Sequence, residues 1–175
     1  FRSSQQQFFI GPHEDKGRSW PIPLHGASPL IPETLQAKET SFTYTDETPL
    51  RLNQGSTAHF ITQYDDLLRA GIVSSLSTLS SVDKLSFLHE QLLLAKSGSQ
   101  SYATILPLLT FFKDETNESV WSIVSLAINE IKRFVTPDTA EETKLKALVS
   151  ELISPQYSRL GWDQKTDEDE NDTKL

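Results

Sequence analysis

His89-Glu90-Gln91-Leu92-Leu93 is the stretch of this 175-residue chain that comes nearest to metal chemistry. The pattern H-E-x-x-H on a helix sets two imidazoles one turn apart, so that both reach one zinc ion while the glutamate serves as base. Here the second imidazole is replaced by Leu93, inside an apolar run. One histidine cannot anchor a metal, and His89 reads as a surface or boundary residue. His13, His25 and His59 have no ligand spacing, and His13-Glu14-Asp15 reads as a polar turn.

The paired carboxylates are no better suited to acid–base work. Neighbours on a helix point about 100° apart, so Asp65-Asp66 and Glu141-Glu142 make no dyad. Both pairs fall near expected helix starts, where negative charge is stabilised by the backbone dipoles. Asp114, Glu115 and Glu118 lie at a junction between helices and read the same way. No G-x-S-x-G and no glycine-rich phosphate loop occurs. Trp121 could line a groove, but within an apolar helical stripe it reads first as core. The residues themselves supply no catalytic, cofactor-binding or metal site.

Composition narrows the classes further. With 16 basic and 24 acidic side chains the net charge is −8, which disfavours nucleic acid as a partner. Residues 163–175 hold six of the acids and two lysines, so half of the net charge is local and reads as a solvated acidic loop or tail. The absence of cysteine excludes disulfides and thiolate ligands. No apolar run approaches the about 18 residues of a membrane span, and residues 1–10 do not resemble a signal peptide. The chain opens on Phe1 and has no Met. The expectation is a piece excised from a longer chain.

The elements that must position these residues change character along the chain. Residues 1–62 are punctuated by Gly and Pro, with short runs at 5–10, 18–24, 41–44 and 58–62 that suit strands. Pro21 and Pro23 confine one of them to a sheet edge or the side of a bulge. From 63 to 162 the apolar period becomes 3.6. Tyr64, Leu67, Leu68, Ile72, Leu76 and Leu79 form one stripe, and Val82, Leu85, Leu88, Leu92 and Ala95 a second, stopped by Gly98. Tyr102, Ile105, Leu106, Leu109 and Phe112 form a third, which Pro107 should kink. Val120, Trp121, Val124, Ile128, Ile131 and Val135 form a fourth. Leu145, Leu148, Val149 and Leu152 form a fifth. Ser80 with Asp83, and Thr139 with Glu142, resemble capping boxes. Helices of 12 to 18 residues and short loops are expected, so successive helices should pack antiparallel. The fold class is α+β but mostly α. A partial β-sandwich over 1–62 is followed by antiparallel helical hairpins over 63–162, α-solenoid-like without a clean repeat, and by the acidic segment 163–175.

The order of motifs resembles the C-terminal half of the M1 zinc aminopeptidases, of the aminopeptidase N type. That family has Q-x-R-F-F before W-x-I-P-L. This chain has Gln5-Gln6-Gln7-Phe8-Phe9 before Trp20-Pro21-Ile22-Pro23-Leu24. At the G-x-Y-R-V-x-Y junction, Asn53 and Tyr64 fit, whereas Phe60 and Ile61 stand in the tyrosine and arginine places. Residues 83–98, Ser101-Tyr102, Glu115 and Trp121 follow in the family's order. Tyr157-Ser158-Arg159-Leu160-Gly161-Trp162 matches its Y-x-x-L-G-W. Residues 5–24, 132–135 and 144–150 are most similar to the type found in lactic acid bacteria.

The resemblance implies a role without chemistry in this segment. The family's H-E-x-x-H, its downstream glutamate, its G-x-M-E-N strand and its transition-state tyrosine lie in a thermolysin-like domain, and none matches a position here. Zinc would belong to that catalytic domain, which would be this segment's partner in the same polypeptide, and peptide substrate would be met only indirectly. Residues 1–62 would end the small sandwich domain. Residues 63–162 would be the first helices of the C-terminal cap, an ERAP1 C-terminal-like domain that closes over the active site and shapes the substrate chamber. The family's cap continues beyond a point equivalent to Leu175, and the resemblance implies a cytoplasmic protein; the charge and hydropathy above argue against nucleic-acid and membrane partners. The alternative from the residues alone is a free-standing helical-hairpin module for protein interactions.

Overall fold

A computed structural model describes residues 1–163 and 165–174, which form two compact units, Phe1–Gln100 and Ser101–Leu175. Helix predominates and strand is scarce.

In the first unit the strands are very short. β1 (Arg2–Ser4) pairs antiparallel with β4 (Glu39–Ser41), Ser3 opposite Thr40, and β2 (Ile22–Pro23) pairs with β3 (Thr34–Leu35). Each sheet has two strands, so every strand is an edge and Pro23 is tolerated there. The expected strand at 5–10 is displaced to β1. Phe8 and Ile10 are exposed, and with no apolar face to bury, the run gains nothing from pairing. Residues 58–62 form no strand: the chain bends at Ala58 and is irregular from His59 to Thr62. The buried Gln5 amide substitutes for part of a ladder. Its Nε2 donates to Trp20 O (2.8 Å) and Ala37 O (3.1 Å), and its Oε1 accepts from Trp20 N–H (2.8 Å).

Beneath these strands Leu24, Ile31, Leu35 and Leu50 form a core, joined by Phe42, Tyr44, Leu52, Tyr64 and Leu68. Gly26 faces Ile31 so closely that any Cβ there would collide with that side chain. Asn53 takes a left-handed conformation (φ 54°) and ties its loop by exchanging two 2.8 Å bonds with the Ala58 backbone.

Two helices complete this unit. α1 (Asp66–Ser74) is capped by Asp65, whose carboxylate accepts from Leu68 N–H at 2.8 Å. α2 (Ser81–Lys96) is capped by Ser80 and ends before Gly98, at φ 80°. The first two stripes need redrawing. Leu67 is 84% exposed, because α1 turns Leu68 and Ile72 inward instead. Val82 sits exposed in the first turn of α2, while Phe87, Gln91 and Leu94 are buried alongside Leu88, Leu92 and Ala95. The apolar surface of α2 is thus wider than one stripe.

In the second unit the third expected helix is broken. A 3-10 turn at Tyr102–Thr104, the short α3 (Leu106–Leu109) and a second 3-10 turn at Thr110–Phe112 replace it. Pro107 lies in the first turn of α3, where a missing N–H costs no helical bond, so it starts a helix here and does not kink one. α4 (Glu118–Lys132) is capped by Asn117 and buries Val120, Trp121, Val124, Ala127 and Ile131. α5 (Ala140–Leu160) is capped by Thr139 and packs against α4. It runs eight residues past the last apolar residue of the expected stripe, through Pro155, to Gly161 at φ 75°. The acidic segment is partly helical, with α6 (Glu170–Lys174). Gln164 and Leu175, also within that expected tail, lie outside the described residues. No described helix is long and apolar enough to cross a membrane.

Candidate functional site

His89 is exposed on α2, and its neighbour Glu90 is half-buried. Burial pushes the Glu90 carboxyl up to about 8, against the pull of the Thr62 backbone N–H and the Arg51 charge. With Leu93 in the second ligand place, these residues do not fit a zinc ion. Among the described residues no group of three or more His, Cys, Asp or Glu side chains could hold a metal. His13 stacks on Phe9 at 4.1 Å, with Nδ1 3.0 Å from Gly11 O, while His25 and His59 are exposed.

The acidic pairs serve the helices that carry them. Asp65 caps α1, and Asp66 meets Arg69 at 2.8 Å. Glu142 accepts from Asp138 N–H at 2.9 Å and pairs with Lys146 at 3.0 Å, whereas Glu141 is exposed. Buried Glu115 accepts from Thr116 N–H (3.1 Å) and Asn117 N–H (3.0 Å), fixing the turn into α4. Its backbone carbonyl accepts the Trp121 indole N–H at 2.7 Å. Asp114 is exposed, and the Glu118 carboxylate accepts from Ser122 Oγ–H at 3.0 Å.

One heavily bonded charge is one that the sequence suggests only as a cap. Asp83, in the first turn of α2, lies 7% exposed against Arg51, 12% exposed. Arg51 donates to its two oxygens at 2.6 and 3.1 Å, Gly55 N–H donates at 2.8 Å and Ser80 Oγ–H at 2.8 Å. Burial alone would raise this carboxyl, but Arg51, Gly55 and Ser80 hold it below the usual range. A capping-box acid would reach back to the cap's own N–H. Here the carboxylate is drawn to Arg51 and to the loop at Gly55. Beside it the Tyr64 oxygen accepts from Leu52 N–H at 2.9 Å, and burial pushes its phenol up to about 12. This node ties residues 51–55 to the start of α2. Nothing in its geometry presents a nucleophile or an open metal position.

The second unit contains a cleft of about 560 Å³ whose lining includes Trp121, Tyr157, Trp162, Asp163, Glu168 and Asp172. Tyr157 and Trp162 meet edge to face, with centroids 5.9 Å apart. Trp121 is thus both core and cleft wall. Sequence periodicity did not find the cleft, because Tyr157 and Trp162 lie beyond the apolar stripe of α5. Their only signal was the Y-x-x-L-G-W pattern.

A profile of the ERAP1-like C-terminal domain matches residues 50–175. The chain belongs to the ERAP1-like C-terminal domain family. Full-length relatives place this family segment within much longer proteins. Aminopeptidase N of Lactobacillus helveticus is 39% identical over 98% of this chain, and aminopeptidase N of Lactococcus lactis subsp. lactis is 39% identical over 97%. Aminopeptidase M1-D of rice (Oryza sativa subsp. japonica) is 30% identical over 72% of it. The chain spans about 21% of the length of the two bacterial relatives. The resemblance of its motifs to aminopeptidase N therefore holds along nearly the whole chain. In the ERAP1-like segment the Arg51–Asp83 node falls at the beginning of the match and the Tyr157–Trp162 cleft near its end.

Proposed function

We propose that this chain is the non-catalytic C-terminal region of an M1 zinc aminopeptidase, which removes N-terminal residues from peptides. Its part is to pack on the catalytic domain of the same polypeptide, to help cap the active site and to shape the substrate chamber. The observation that carries this reading is the 39% identity to aminopeptidase N along 98% of the chain. In this reading residues 1–62 end a small sandwich domain, residues 63–162 begin a solenoid-like helical cap, and the whole works in the cytoplasm. Zinc would be held by the catalytic domain, where it would activate water and polarise the scissile carbonyl.

What these residues contribute is rigidity. The Arg51–Asp83–Gly55 node ties the loop at residues 51–55 to the start of α2, and a chamber wall must hold its shape to limit which peptides enter. The test is an assay of the purified 175-residue chain on aminoacyl anilides with added zinc. No turnover is expected. Zinc-dependent turnover that co-purifies with the chain would overturn the reading.

A further inference from the structure

The cleft beside α5 carries a charge pattern that the proposed architectural role does not use. Its edge-to-face aromatic pair stands open, with Tyr157 52% and Trp162 87% exposed. Carboxylates gather at this rim while nearby cations are already engaged. Arg159 holds Asp172 through two 2.8 Å bonds and also donates to Gln156 Oε1. Lys165 Nζ donates to Arg159 O at 2.7 Å, and Lys174 Nζ to Glu170 at 2.6 Å. Asp163 and Glu168 also line the cleft, Glu168 within electrostatic reach of Arg159 but forming no direct ion pair among the described residues.

We propose that this cleft receives a polypeptide segment bearing an arginine or lysine between apolar residues, its cation against the Trp162 face and beside Asp163 and Glu168. An indole face attracts a cation through its quadrupole, and the neighbouring carboxylates add a charge-assisted partner. Ile153, Leu160 and the Tyr157 ring offer the apolar flanks a hydrophobic surface. A volume of about 560 Å³ suits a few side chains. An acidic segment would meet the carboxylates unpaired. A neutral one would forgo that attraction.

The inference asks nothing of catalysis and so stands apart from the proposed function. Its test titrates the full 175-residue chain by calorimetry with acetyl-Leu-Arg-Leu-amide and with the same peptides carrying citrulline or glutamate in place of arginine. The arginine peptide should bind about tenfold more tightly than the citrulline peptide, an advantage that high salt removes. Trp162→Ala should weaken the arginine peptide about tenfold. Because Trp162 is so exposed, that variant keeps its fold, which circular dichroism checks. The Asp163→Asn, Glu168→Gln double variant should weaken the arginine peptide and spare the citrulline one. Equal affinity for arginine and citrulline, undetectable binding, binding indifferent to both variants, or occupation of the cleft by a second copy of this chain would overturn the proposal.

Discussion

Arg51 grips Asp83 with both terminal guanidinium nitrogens, at 2.6 and 3.1 Å, across 32 positions of sequence. The pair is buried, so its partners depend on each other. Removing one leaves an uncompensated charge, which costs about 3–5 kcal/mol, whereas replacing both with apolar groups of similar volume can be nearly neutral. Arg51→Met and Asp83→Leu should each lower the urea midpoint strongly. The double variant should lose much less than the sum. Additive losses would show that the two residues do not couple.

The node also sets how stability depends on pH. Asp83 has its folded value held down, so its contribution is present above its unfolded value and is lost as the pH falls through the folded one. Glu90 behaves oppositely. Burial raises its folded value to about 8, against the pull of Thr62 and Arg51. Its unfolded value is about 4.5, so its contribution is full below that and is lost as the pH rises through 8. Glu90→Gln should therefore gain stability relative to the parent as the pH rises through this window. Parallel stability profiles for parent and variant between pH 5 and 9 would contradict the burial of Glu90.

Trp121 tests the second unit. Its indole N–H reaches Glu115 O at 2.7 Å, and its ring is buried. Trp121→Phe keeps most of the apolar volume but leaves that carbonyl without its donor, a loss of about 1–3 kcal/mol. Trp121→Ala should lose about 3–5 kcal/mol. Denaturant unfolding followed by circular dichroism measures both, and equal midpoints for the parent and the phenylalanine variant would remove this bond from the account.

Gly26 is required for space. A Cβ there would collide with Ile31 Cδ1, Cβ and Cγ2. Gly26→Ala should cost about 1–3 kcal/mol through overpacking, and Ile31→Ala in the same chain should relieve part of that cost. A single alanine variant as stable as the parent would mean that the 24–31 turn yields easily.

What could be read from the sequence was mostly local. Ser80 and Thr139 announced their helices because a cap is decided within three residues, and Gly98 marked a stop for the same reason. Pro107 was read as a kink because the third apolar stripe passed through it. The structure divides that stripe into short turns, which makes the proline an initiator. The strands were harder to place. Their pairing spans two or three residues and is supplemented by the Gln5 amide, which no period of two can reveal. Arg51 and Asp83 are ordinary residues until folding brings them together. At the cleft, Trp121 is legible as core, but the cleft that it lines with Tyr157 and Trp162 depends on where α5 ends.

The central claim is that these residues form an architectural part of an aminopeptidase. A chimera tests it most directly, with this chain replacing the matched segment of Lactobacillus helveticus aminopeptidase N. The measurement is hydrolysis of an aminoacyl anilide and of a long peptide, compared with the parent enzyme and with a version lacking the segment. The account predicts that the chimera keeps anilide turnover and the parent's preference between short and long substrates, while the deleted version loses activity or that preference. A deleted version matching the parent on both substrates would contradict it.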